Sequence, residues 1–453
     1  MKKILAGCLA AVLLFCFAAF AFAEDADDGY DGDEVPETEE ETGGGDWDEE
    51  PEEPEEPSGD EEEDESAETS GTAALIKSGV SFEANGRSEN FGDMQDDDFR
   101  TYFPLKDKKG WLEVHSEKPV YGVYLMLFEK ITVPLEYEIQ LQDGNGGWRT
   151  VAKGGQYLVN WHPLEEGVTD FRIFGTSKER IRVSELRLYG EGEKPADVQD
   201  WQTIGKCDIM LLSGHPDDEI LWFAGFLPTY AGDRGYRVQL AVMAPTGGER
   251  KLELLHAIWH CGVTAYPEFI GLVDKNGKTV EGQYTAWKGK NRVQGLVTEV
   301  IRKHQPEVML THGENGEYGH GAHRTACAAA KDCVKHAAKA NRFPKTAKLY
   351  GTWQVKKLYL HEYKKNVIPC DWNQPLKAFG GKTGYEVASE AFKFHRSQIR
   401  RNWDLEPDGK VHNNGGYLEH DNSLFGLFFT TVGQDTGIGD FMEHITPEET
   451  GGE

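Results

Sequence analysis

From about residue 200 the chain alternates short apolar runs with stretches of helical periodicity, and this alternation constrains its fold more than any other feature. The apolar run Ile209 to Leu212 leads into a helical stretch over about 218–232 that ends near Gly232. A strand over 237–243, a helix carrying Leu252, Leu255 and Ile258, and a strand near 269–272 follow. Next come a helix near 291–304, a strand over 308–311, an alanine-rich helix over 322–340 and a strand near 357–360. Strands alternating with helices predict an α/β, doubly wound, mostly parallel sheet. Ligands of such sheets bind in the crevice beyond the carboxyl ends of the strands.

The preceding sequence has a different character. Lys2 and Lys3, the apolar stretch Leu9 to Phe22 and the small-x-small triplet Ala21-Phe22-Ala23 predict a cleaved signal peptide over 1–23, and hence a secreted, cell-surface or periplasmic protein without a stable membrane insertion. Residues 24–71 form an acidic tract. Of the 78 Asp and Glu in the chain, 26 fall between 24 and 70, with no Lys or Arg among them. A tract so charged and so poor in apolar residues cannot offset its ordering entropy and predicts a disordered spacer. The formal charge of −30 therefore belongs mainly to this tract. No strongly basic face is evident, which disfavours nucleic acid as a partner. Period-two alternation (Tyr121, Val123, Leu125, Leu127; Tyr137, Ile139, Leu141; Phe171, Ile173) predicts short strands over 72–195, arranged as an all-β sandwich. Cys207, Cys261, Cys327, Cys333 and Cys370 show no disulfide framework and read as buried free thiols.

Two stretches that carry chemistry each follow a predicted strand: "GHPDDE" at 214–219 and "THGENGEYGHGAHRTA" at 311–326. Together they bring His215, Asp217, Asp218, His320 and His323 to the strand ends. Two histidines, one carboxylate and an open position are what a catalytic zinc ion needs. A spare carboxylate can then take a proton, and a spare histidine can stabilise developing charge. The plainer role for Asp217, Asp218 and Glu219 is a helix N-terminus, where carboxylates cap free N–H groups. His256, His260 and His395 read as packing or structural histidines. No Gly-x-Ser-x-Gly elbow, phosphate loop or His-Glu-x-x-His is present.

These two motifs resemble the signatures of the PIG-L/LmbE-like zinc deacetylases over roughly 200–448, as do "APTGGERKLELLHAIWHCGV", "FIGLVD" and "FKFHRSQ". The resemblance implies a Rossmann-like sheet and a hydrolase that removes acetyl from an N-acetylated sugar or glycan through metal-activated water. It implies His215, Asp218 and His323 as zinc ligands, Asp217 as general base, and His320 and Tyr318 as residues that steady the intermediate. It places Arg250 and Asp274 against the sugar. One departure stands out: the family's His-Pro-Asp-His is here His320-Gly321-Ala322-His323, without the acidic residue. The ending "RIRVSELRLYGEGEKP" and "GWLEVHSEKPVYGVYLML" resemble discoidin-like, galactose-binding-like jelly rolls. That resemblance implies a glycan-binding role, with Trp148, Tyr157 and Trp161 as stacking candidates. Two alternatives remain at this point: a glycan-binding surface protein with a silent deacetylase-like domain, and an amidase acting on a thiol or peptide conjugate.

Overall fold

The structure is a computed structural model and describes residues 71–445 apart from 86–89, 107, 130–134 and 276. The expected signal peptide, and the acidic spacer but for Gly71, lie outside the described residues. Those described fall within one unit, Glu68–Glu453.

Seven N-terminal strands form an antiparallel sheet: β1 (Val80–Ala84), β2 (Phe103–Pro104), β3 (Trp111–Leu127), β4 (Tyr137–Gln142), β5 (Trp148–Gly154), β6 (Val159–Gly175) and β7 (Arg182–Tyr189). Their order is β2-β7-β3-β6-β4-β5, with β1 paired to β3. Register breaks between His115 and Gly122 interrupt the pairing of the two longest strands, β3 and β6, which bends a sheet locally. The expected alternation holds at the start of β3, where Leu112 and Val114 are buried between half-exposed neighbours. It fails from Val123 to Leu127, all of which are buried. The second face is covered there by the chain entering the α/β region, where the Gln199 N–H donates to Tyr124 Oη at 3.3 Å.

The second sheet contains β8 (Ile209–Ser213), β9 (Val238–Val242), β10 (Glu268–Phe269), β11 (Val308–Thr311), β12 (Lys357–His361), β13 (Val367–Pro369) and, later in the chain, a strand at Leu424–Thr430. Strands β8, β9, β11 and β12 are buried at every residue. This is the continuous burial that a parallel sheet covered on both faces imposes. The order is β10-β9-β8-β11-β12-(424–430)-β13. Pairings from β10 through β12 are parallel, and the Leu424–Thr430 strand is antiparallel to both of its neighbours. The chain works outward from β8 to β10 and then returns to β11 on β8's other side. The change of direction between β8 and β11 opens a crevice at their carboxyl ends.

One expected helix is not continuous. Residues 218–232 form a single α-turn, α1 (Asp218–Leu221), followed by a wider helical turn at Pro228–Asp233. Pro228 cannot continue a helix begun upstream, and Ala224 sits at a φ of 23°. Helices α2 (Gly248–His260), α3 (Val280–Ala286), α4 (Lys290–His304) and α5 (Gly321–Ala337) cross between strands. Five of the six alanines of α5 (322, 326, 329, 330, 337) are fully buried, so this helix approaches the sheet closely. All five cysteines of the described residues are buried and free, as expected.

Candidate active site

The loop after β8 carries His215, Asp217 and Asp218, and the loop from β11 into α5 carries Tyr318, His320 and His323. The structure brings them together. His215 Nδ1 lies 3.3 Å from His323 Nε2 and 3.4 Å from Asp218 Oδ2, and His323 Nε2 is 3.2 Å from Asp218 Oδ1. The outer nitrogen of each ring is occupied by a carboxylate: His215 Nε2 by Asp274 Oδ1 at 3.3 Å, His323 Nδ1 by Glu317 Oε2 at 2.9 Å. Each ring nitrogen that faces inward is therefore left with a lone pair. Two lone pairs and a carboxylate facing one another across 3.2–3.4 Å repel unless a cation lies among them. Donors about 2.0–2.1 Å from a tetrahedral zinc ion are spaced at about this distance. The residues present fit the metal. His320 adjoins this set, its ring 4.7 Å from His215 and 4.8 Å from His323. The donor atoms fall into two sets that share His323: His215, His320 and His323, and Asp218, His312 and His323.

Asp218 is held from two sides. The His215 backbone N–H donates to its Oδ2 at 2.6 Å and Trp222 Nε1 donates to Oδ1 at 3.1 Å, while His312 Nε2 lies 3.3 Å from Oδ2. Asp217 differs. Burial pushes its carboxyl up to about 6 against the pull of Arg250, whose Nη2 lies 3.0 Å from Oδ1. Its backbone is strained, with φ 123° and ψ −30°. Such strain persists only where the surroundings over-determine a residue. The Gln398 amide, oriented by its partners, donates to Asp217 Oδ2 at 3.2 Å and accepts from Arg250 Nε at 3.2 Å. Glu219 takes the structural role: it accepts from the Asp217 N–H at 2.8 Å and pairs with fully buried His395 at 2.8 Å.

His320 differs from His215 and His323, whose outer nitrogens each meet a carboxylate. Its Nδ1 is buried without a hydrogen-bond partner among the described residues, and burial pushes the ring down to about 4. In the sequence Gly321 and Ala322 follow it, and neither offers a side-chain acceptor. Tyr318 is half exposed at the pocket mouth, with its ring 5.6 Å from His320 and 5.5 Å from His323.

All eight residues singled out in the sequence meet here, but Arg250 and Asp274 do so in unexpected company. Their polar atoms engage Asp217 and His215. The sequence reading missed His312, Glu317, His361 and Gln398. A signal was available for the two histidines: His312 directly follows β11 and His361 closes β12, repeating the histidine just past β8. The aromatic candidates of the N-terminal sheet are largely engaged in packing. Tyr157 hydrogen-bonds Thr203 at 2.9 Å and packs on Tyr266 at 4.7 Å. Trp161 fills the space over Gly122, where a Cβ would come within 2.0 Å of its ring. Arg172 lies over Trp148 at 4.0 Å.

Fold and pocket define an α/β protein with a buried histidine–carboxylate centre at its strand ends. Residues 210–334 match the PIG-L family, described as GlcNAc-PI de-N-acetylase, and constitute a PIG-L family domain. The 1D-myo-inositol 2-acetamido-2-deoxy-alpha-D-glucopyranoside deacetylase of Mycobacteroides abscessus is 29% identical over 178 residues, 33% of this chain and 58% of that protein. A protein of the same description from Catenulispora acidiphila is 24% identical over 206 residues, 39% of this chain and 62% of that protein. The chain thus spans less than two thirds of either relative. The N,N'-diacetylchitobiose deacetylase of Pyrococcus horikoshii aligns at 19% identity over 42% of this chain and 70% of its own, with a TM-score of 0.33, too low to carry an argument.

Proposed function

We propose that the protein is an exported zinc-dependent hydrolase that removes acetyl from an N-acetylated sugar or glycan. The observation that carries this reading is the convergence of His215 Nδ1, His323 Nε2 and the Asp218 carboxylate beside a second carboxylate, Asp217, that is not engaged in the same set. The family match and the relatives, whose names specify a 2-acetamido-2-deoxy-glucopyranoside, support the acetamido substrate. Export rests on residues 1–23 alone, and a jelly-roll, glycan-holding role for the N-terminal sheet rests on the sequence resemblance.

His215, Asp218 and His323 would hold zinc, which supplies Lewis acidity at a carbonyl oxygen and acidifies water. The remaining work falls to the chain. Asp217, with its carboxyl near 6, takes a proton from the attacking water and returns it to the departing amine. Arg250 and Gln398 fix its orientation through both oxygens. His320, neutral at neutral pH, and Tyr318 flank the position of the developing oxyanion and donate to it. Asp274, with its side chain 30% exposed, faces the sugar hydroxyls while orienting His215, and Arg250 borders the same space.

The test is acetate release from β-glycosides and oligomers of N-acetylglucosamine, set beside N-acylated thiol and peptide conjugates. Acetate from the sugars alone, abolished by a chelator and restored by zinc, is the expected result. Glycan affinity without turnover by the zinc-loaded protein would replace this reading with that of a silent binding protein.

A further inference from the structure

Glu317 lies in the loop between β11 and α5 and has no part in the chemistry above, yet three histidine side chains hydrogen-bond to its carboxylate. Its Oε2 accepts from His312 Nδ1 at 2.6 Å and from His323 Nδ1 at 2.9 Å. Its Oε1 accepts from His361 Nδ1 at 2.6 Å and from the Gly313 N–H at 3.3 Å. The carboxylate is 1% exposed and the three rings are fully buried. Three imidazoles from three different segments thus turn the same nitrogen toward one acid.

An ionised carboxylate only accepts hydrogen bonds, so each of the three Nδ1 atoms carries the hydrogen. The consequences differ from ring to ring. At His323 the hydrogen on Nδ1 leaves the lone pair on Nε2, the atom that faces His215 and Asp218. At His312 it leaves the lone pair on Nε2 free to accept from the Gly214 N–H at 3.0 Å, which fixes the backbone immediately before His215. At His361, Nε2 lies 3.0 Å from the Asp421 carbonyl, so both ring nitrogens of this histidine face oxygens that only accept. One carboxylate therefore ties the ends of β8, β11 and β12 together. That closeness has a steric counterpart at Gly214, where a Cβ would sit 2.9 Å from both Asp218 Oδ2 and His323 Cδ2.

We propose that Glu317 is the positioning residue of the pocket, setting the tautomer of His323 and locking three strand ends into a frame ready to receive the metal. The inference rests on the reading of the pocket as a zinc site. A carboxylate that orients a ligating histidine in this way typically governs metal affinity by roughly tenfold to hundredfold.

Two measurements test it. Zinc affinity is measured by competition with a chromophoric chelator for wild type, Glu317→Gln and His361→Asn. Glutamine keeps the shape but offers an N–H₂ where one histidine expects an acceptor. Glu317→Gln is expected to weaken zinc binding roughly tenfold to hundredfold. His361→Asn, which releases the tie to β12 but leaves the Oε2 bond to His323 intact, is expected to weaken zinc binding less than Glu317→Gln does. A folded Glu317→Gln protein that binds zinc like wild type overturns the proposal. The second measurement needs no variant to fold: nitrogen chemical shifts of histidine in the metal-free wild type report which ring nitrogen carries the hydrogen. The proposal requires His323 to carry it on Nδ1, and a His323 with hydrogen on Nε2 alone overturns it. A wild type that binds no zinc but shows the Nδ1–H tautomer would defeat the zinc reading and leave the positioning role standing.

Discussion

The two sheets treat buried polarity in opposite ways. The N-terminal sheet buries mainly apolar and aromatic side chains, such as Phe103, Phe171, Tyr137 and Ile173, and keeps most of its ion pairs on the surface. The α/β sheet buries His215, Asp217, Asp218, Glu219, His312, Glu317, His323, His361 and His395 at or near one end. Buried charge is costly unless each group meets a partner, and nearly every member of this set does. The concentration of that cost at the carboxyl end of one sheet marks the site. The first sheet, where aromatics fill gaps and cover the neighbouring region, reads as scaffold.

Four substitutions probe this contrast. Asp217→Asn is expected to lower acetate release by roughly 10²–10⁴-fold, the usual contribution of a positioned base, while circular dichroism and zinc content stay unchanged. Phe171→Ala, in the core of the N-terminal sheet at 1% exposure, is expected to cost about 3–5 kcal/mol of stability in denaturant titration. Turnover per folded molecule should not change. A parallel fall in turnover would break the division between scaffold and site.

Glu268→Gln tests a half-buried acid outside the pocket, its side chain 26% exposed. Burial acts upward on Glu268, but His304 at 2.9 Å and Lys303 at 2.5 Å outweigh it and hold the carboxyl at about 2. A folded-state value depressed below the unfolded one contributes stability above about pH 4.5, and that contribution is lost as pH falls toward 2. The variant should be less stable by about 1–3 kcal/mol at pH 7 and should approach wild type near pH 2–3. A difference that is constant with pH would contradict the assignment. Trp148→Ala, which removes one ring under Arg172, should cost about 0.5–1 kcal/mol and leave acetate release from small substrates intact.

Much of the pocket was legible because its chemistry is local in the chain. His215, Asp217 and Asp218 share one loop, and Tyr318, His320 and His323 share another. The alternation of strands and helices put both loops at the same sheet end. What escaped notice is non-local. Glu317 looks like one more acid in a glycine-rich loop until β12 places His361 against it, and Gln398 reaches Asp217 from 181 residues away. The resemblance assigned Arg250 and Asp274 to the sugar, and sequence position did not show that each also engages a protein partner. The alternation rule failed in β3 for a related reason: it presumes a solvated second face, and here the incoming chain covers it.

The central claim is most directly tested by following acetate release from an N-acetylglucosamine glycoside while zinc is titrated into metal-free protein. Activity should rise in proportion to bound zinc and level off at one equivalent. Equal turnover by the metal-free protein, or no acetate with one zinc bound, would contradict the account.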